Sequence, residues 1–189
     1  MEWRGVVWSG AVAVHSNMAL PPYFPIVVLA VLLVVQIAQK LLRSWLRKPF
    51  PMPRLAASDF VQNPHPDAGQ RVQLLECFAP WCGPCQRMAP HMNELQERYG
   101  ADVYIAALSS EPEAQVRKFV QDYGCQYNVA ASQECTHLLR ECGSSAFPHA
   151  CIFVEKICVW DGHPMFAEKQ LRKYVQLVKS GELDAKKEE

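Results

Sequence analysis

Two cysteines, Cys82 and Cys85, separate an apolar run from an amphipathic one, and that junction limits the folds open to this chain. Val72 to Phe78 has the length and composition of a buried strand, and Gln86 to Tyr99 has helical periodicity. A Cys-Gly-Pro-Cys turn between them sets the first sulfur at a helix N-terminus, where unpaired N–H groups and the helix dipole favour a thiolate. Pro84 suits the first helical turn, because its missing N–H would have no partner there. The second sulfur follows one turn deeper, so the two can close a disulfide and reopen it. The same spacing also supplies half of a tetrahedral zinc site, but no second Cys-x-x-Cys or His-x-x-His occurs in the chain. Redox use is therefore expected, with no metal and no cofactor.

The wider stretch Ala79-Pro80-Trp81-Cys82-Gly83-Pro84-Cys85, with Met88-Ala89-Pro90 after it, resembles the thioredoxin superfamily. Pro90 matches the family's helix proline. Glu76 falls where the family has its buried acid, and Ala107 where thioredoxins place a lysine beside that acid. Pro148, in Ala146-Phe147-Pro148-His149, matches the cis-proline that faces the disulfide. From Tyr104 to Pro164 the pattern looks like the membrane-anchored thiol-disulfide oxidoreductases of the redoxin branch. The signs are the extra helix after Leu108, Tyr127-Asn128-Val129-Ala130 and Trp160-Asp161-Gly162-His163-Pro164.

The resemblance implies an α/β thioredoxin fold, a central mixed sheet flanked by helices. It implies a protein-disulfide reductase or dithiol-disulfide oxidoreductase, with protein disulfides as substrates and an upstream thiol reductant as partner. Cys82, at the exposed helix end, would attack; Cys85 would resolve the mixed disulfide; Glu76 would serve Cys85 as base. Trp81, Gly83, Pro84, Phe147, Pro148 and His149 would bind substrate, with Trp81 covering the disulfide. His149 could instead tune the thiolate or complete a copper site. Two alternatives stand beside the enzyme: a copper chaperone on the same fold, and a noncatalytic interaction domain tethered to a membrane.

Residues outside the resemblance are organised by hydropathy. Met18 to Ala38 contains no charged residue. A helix from Pro25 to about Leu46 would extend roughly 30 Å, about one bilayer core. Lys40, Arg43, Arg47, Lys48 and Arg54 follow the charge-free run, against Arg4 before it. By the positive-inside rule the redox domain is then expected on the cytoplasmic side of a single-pass protein, with an endoplasmic reticulum or mitochondrial membrane in view. The expected division is an N-terminal tail (1–22), a transmembrane helix (23–46), a Pro-rich linker (47–69), a thioredoxin-like domain (70–181) and a charged tail (182–189). Nineteen basic and nineteen acidic residues leave no net charge, so nucleic acid is not an expected partner. The cysteines outside the motif lie in apolar runs and read as small core hydrophobes in a reducing compartment.

Within the domain, strands are expected at 72–78, 103–108, 127–130, 149–154 and 157–160, and helices at 83–99, from the first turn after Ser110 to about 123, and at 133–142 and 166–178. Ser110-Glu111-Pro112-Glu113 reads as a capping box for the second of these helices. Glu155-Lys156 reads as a hairpin turn, and residues 56–61 as a short helical turn within the linker.

Overall fold

In the computed structural model, residues 23–46, 49–63 and 69–185 are described. The expected tails at 1–22 and 186–189, and Pro64 and Pro66 of the linker, lie outside them. The chain forms two units, residues 1–48 and 49–189.

The described residues of the first unit form one helix, α1 (Phe24–Leu46), with nearly the bounds expected of a membrane span. Its side chains are described only as far as Gln39, and all of these are exposed. Among the described residues, no helix is long and apolar enough to cross a membrane.

The second unit is a six-stranded mixed sheet in the order β1-β4-β3-β2-β5-β6. Its strands are β1 (Phe60–Gln62), β2 (Val72–Cys77), β3 (Val103–Ser109), β4 (Asn128–Ala131), β5 (His149–Val154) and β6 (Ile157–Gly162). Strands β2, β3 and β4 run parallel, and β1, β5 and β6 pair antiparallel. The helices α2 (Gly83–Tyr99), α3 (Glu113–Tyr123), α4 (Glu134–Glu141), α5 (Ala167–Lys179) and α6 (Glu182–Ala185) complete it.

Strand alternation divides the core in two. Leu74, Ile105 and Ile152 face one side, where α2, α3 and α5 bring Met92, Phe119 and Leu171. Leu75, Tyr104 and Phe153 face the other, where α4 brings Cys135 and Leu138. β2 and β3 are buried along their whole length, as expected of strands covered on both faces.

Two stretches of the expected linker belong to the sheet. Phe60–Gln62 pairs with β4 as an edge strand. Phe50 is buried edge-on to Phe153, with ring centroids 6.0 Å apart. The backbone beside it covers the outer edge of β6: Met52 N–H donates to Lys156 O and Cys158 N–H to Phe50 O. A free sheet edge invites unwanted pairing, and this segment closes one. The hairpin turns at Glu155 and Lys156, both at positive φ (51° and 66°), the handedness that joins twisted strands directly.

The capping box does not form. α3 starts at Glu113, with Pro112 before it and no side-chain cap, while the Ser110 hydroxyl bonds to Thr136 Oγ1 at 2.6 Å. Gly124 closes α3 at φ 57°, a left-handed stop that suits a residue without Cβ.

Candidate functional site: a dithiol at a helix N-terminus

β2 delivers the chain to the sheet's end, and Phe78 N–H then pairs with Leu108 O, which fixes the exit. A turn closed by Cys82 N–H to Ala79 O follows, and α2 begins at Gly83. Cys82 is its N-cap in extended conformation, and Pro84 occupies the first turn. The Cys82 sulfur accepts the backbone N–H of Cys85 at 3.3 Å. It thus takes up one of the N–H groups that a helix start leaves without an intrahelical partner, in the positive end of the dipole.

The two sulfurs are less different in exposure than expected. Cys82 is 6 % exposed and Cys85 2 %, because the Cys82 sulfur folds back over the helix end to meet that N–H. Burial pushes the Cys85 thiol well above its usual range, and its hydrogen bond with Cys82 adds to this. Trp81 is 65 % exposed. Its indole N–H donates to Glu111 Oε1 at 2.8 Å, and its ring meets Phe147 edge-on at 6.1 Å. Phe147 is joined to Pro148 by a cis peptide bond, at the mouth of β5.

Glu76 lies beneath this end of the domain, between Leu74 and Phe78 on the face that packs α2. Its β3 neighbour is Ala107, so no lysine meets it there. The carboxyl is 2 % exposed, and its Oε1 has no hydrogen-bond partner among the described residues. Burial pushes it up from the ordinary 4.5 to about 8, with Cys135 adding in the same direction. Its charge in turn raises Cys85, which marks the two groups as electrostatic neighbours.

His149 is placed elsewhere than the sequence suggested. Its Nε2 lies 3.1 Å from Asp161 Oδ2, and its ring also bonds the Cys142 thiol; neither partner belongs to the dithiol. Burial pulls its pKa down, but Asp161 and Cys142 outweigh that and hold it near 9. Cys142 and Cys151 lie on the α4 side of the sheet, whereas Cys82 and Cys85 lie on the α2 side. Sequence reasoning had merged Cys142 and Cys151 into the apolar core. The alternation of His149 and Cys151 along one strand, i and i+2 on one face, was the available signal.

The thioredoxin family's sequence model matches residues 58–126. The thiol-disulfide oxidoreductase ResA of Bacillus thuringiensis is 37% identical over 60 residues, 30% of this chain and 34% of that protein. The thioredoxin-like protein YneN of Bacillus subtilis is 27% identical over 101 residues, 51% of this chain and 58% of that one. The chain thus spans about a third to just over half of the length of these curated relatives. Among solved structures, one of a thiol:disulfide interchange protein, DsbE, from Chlorobium tepidum superposes with a TM-score of 0.51. It covers 68% of this chain and 94% of its own at 20% identity, which is a likeness of fold.

Proposed function

We propose that this chain, a member of the thioredoxin superfamily, is a membrane-anchored thiol-disulfide oxidoreductase acting on protein disulfides. The observation that carries the reading is the Cys82 sulfur seated on the α2 N-terminus, with Cys85 buried beneath it. A helix N-terminus suits a thiolate, the nucleophile that thiol–disulfide exchange requires.

The exchange runs in two steps. Cys82 thiolate attacks one sulfur of a substrate disulfide; a Cys82–substrate bond forms, and the other substrate sulfur leaves as thiolate. Cys85 then gives up its proton and attacks Cys82 Sγ. The mixed disulfide breaks, the second substrate thiolate leaves, and Cys82–Cys85 is oxidised by two electrons. An upstream thiol reductant returns those electrons. The Cys85 proton needs an acceptor, because burial holds that thiol protonated at neutral pH. Glu76, its electrostatic neighbour with an unoccupied oxygen, is the acceptor in this scheme. Phe147, Pro148 and the exposed Trp81 form the apolar rim against which an extended substrate segment lies.

The anchor reading rests on α1. Its 23 residues extend roughly 34 Å at 1.5 Å each, and the part from Phe24 to Ala38 carries no charged side chain. An uncharged, largely apolar surface suits lipid better than water. Lys40 and Arg43 in the last turns of the helix, with Arg47, Lys48 and Arg54 after it, favour a cytoplasmic redox domain.

Reduction of insulin disulfides by the purified chain, with dithiothreitol as donor, tests the chemistry. Turnover above the dithiothreitol background, lost in Cys82→Ser, is expected; equal rates for both proteins would remove the enzyme reading. Carbonate washing of membranes followed by protease treatment of sealed vesicles tests the anchor. The chain should stay in the pellet, and its domain should be digested only from the cytoplasmic face.

A further inference from the structure

On the sheet face opposite the dithiol side, three soft or borderline donors converge. Cys142 caps the C-terminus of α4, and His149 and Cys151 stand two apart on β5. One ligand atom from each lies within 4.8 Å of the other two. The two sulfurs are 3.1 Å apart and buried, and the imidazole side chain is 12 % exposed. Behind the imidazole, Asp161 Oδ2 sits 3.1 Å from Nε2.

We propose that Cys142, His149 and Cys151 form a second functional site, one that binds a zinc ion. Thiolate and imidazole are zinc's preferred protein donors, and three of them leave a fourth tetrahedral position for water or an added ligand. With Nδ1 as the ligating atom, the Asp161 carboxylate on Nε2 orients the ring and strengthens it as a donor. Sulfurs about 2.3 Å from a tetrahedral ion stand roughly 3.8 Å apart, so this pair opens by about 0.7 Å on binding. A disulfide is the competing use of the same sulfurs, and it would require them to close by about 1 Å. That bond would use two of the three groups and give the imidazole and its carboxylate no part. The metal uses all of them.

Binding is balanced by protons. Each thiol that becomes a zinc thiolate releases one proton to solvent, the imidazolium releases another, and no electron moves. The site also has a structural consequence. Residues 143–148 connect its ligands and carry Phe147, whose ring packs on Trp81 beside the dithiol. An ion held at both ends of this segment clamps the rim of the substrate groove.

The test uses the reduced full chain in detergent, with Cys82 and Cys85 both changed to serine so that the dithiol cannot take the metal. Zinc retained after gel filtration is measured against a chromophoric competitor, and cobalt replaces zinc for spectroscopy. About one zinc per chain is expected, with thiolate-to-cobalt charge-transfer bands and tetrahedral d–d bands. Cys142→Ser, Cys151→Ser and His149→Ala should each lose most of the metal. Asp161→Asn should weaken affinity about tenfold while circular dichroism stays unchanged. Two results would overturn the proposal: a reduced parent that takes up no zinc, or variants that keep both fold and metal. Because His149 is not in the apolar core, His149→Ala remains informative if the cysteine variants do not fold.

Discussion

Replacing Glu76 by glutamine should make the stability curves of the two proteins cross as pH rises. The folded chain holds the Glu76 proton up to about pH 8, whereas the group ordinarily ionises near 4.5. The folded state therefore binds this proton more tightly than the unfolded state, and stability falls as pH rises between those values. Each pH unit in that window costs about 1.4 kcal/mol. The cumulative loss is about 3 kcal/mol at pH 7 and about 5 kcal/mol above pH 8, as an upper bound. Glutamine does not titrate, but it brings a buried N–H₂ that needs partners, a cost of about 1–2 kcal/mol. The variant should then be the less stable protein near pH 5, and the more stable one by about 3 kcal/mol near pH 8.5. Urea unfolding of the reduced full chain in detergent, followed by far-ultraviolet circular dichroism at half-unit intervals from pH 5 to 9, reads both curves. Curves that stay parallel over that range would refute the reasoning, because they would mean that Glu76 is solvated or already paired.

Other consequences follow from the same geometry. If Glu76 accepts the Cys85 proton it must first be ionised, so insulin reduction should rise through about pH 8, and Glu76→Gln should be slower with that rise removed. Phe119 is buried with its ring 4.6 Å from Phe78 and 4.8 Å from Tyr123, so Phe119→Ala should cost about 3–5 kcal/mol in urea unfolding; a loss below 1 kcal/mol would mean α3 docks by other contacts. Trp81 is exposed, so Trp81→Ala should change stability by no more than about 0.5 kcal/mol yet raise KM for protein disulfides several-fold; an unchanged KM would remove Trp81 from substrate binding.

The elements that local sequence dictates were legible. α2 begins and ends at Gly83 and Tyr99 as expected, because an N-capping cysteine, a first-turn proline and an apolar stripe all act within one segment. β2 announced itself as a largely apolar run, and Glu155-Lys156 as the break between two strands. What depended on distant partners was not legible. Phe60–Gln62 is a three-residue strand whose existence rests on β4, nearly seventy residues away. Phe50 sits among prolines that read as linker, and only the face of Phe153 gives it a reason to be buried. Ser110 had the spacing of a helix cap, but Thr136 claimed its hydroxyl.

The site shows the same division. Cys82 and Cys85 were named from motif spacing and Glu76 and Pro148 from the family resemblance, and the structure sets the dithiol on the helix end and Glu76 on the same face. The Cys142–His149–Cys151 cluster was not found, since buried cysteines in apolar runs are indistinguishable from core residues in sequence. The meeting of Cys142 with the other two depends on where α4 ends against β5.

The account stands or falls on which sulfur meets the substrate. The reduced chain, as Cys85→Ser and separately as Cys82→Ser, is mixed with a disulfide-bonded peptide, quenched in acid and digested without reductant. Mass spectrometry then locates the peptide adduct. The account predicts a mixed disulfide on Cys82 that accumulates in Cys85→Ser and does not form at Cys85 in Cys82→Ser. An adduct on Cys142, Cys151 or Cys158 in place of Cys82, or one that appears only at Cys85, would contradict it.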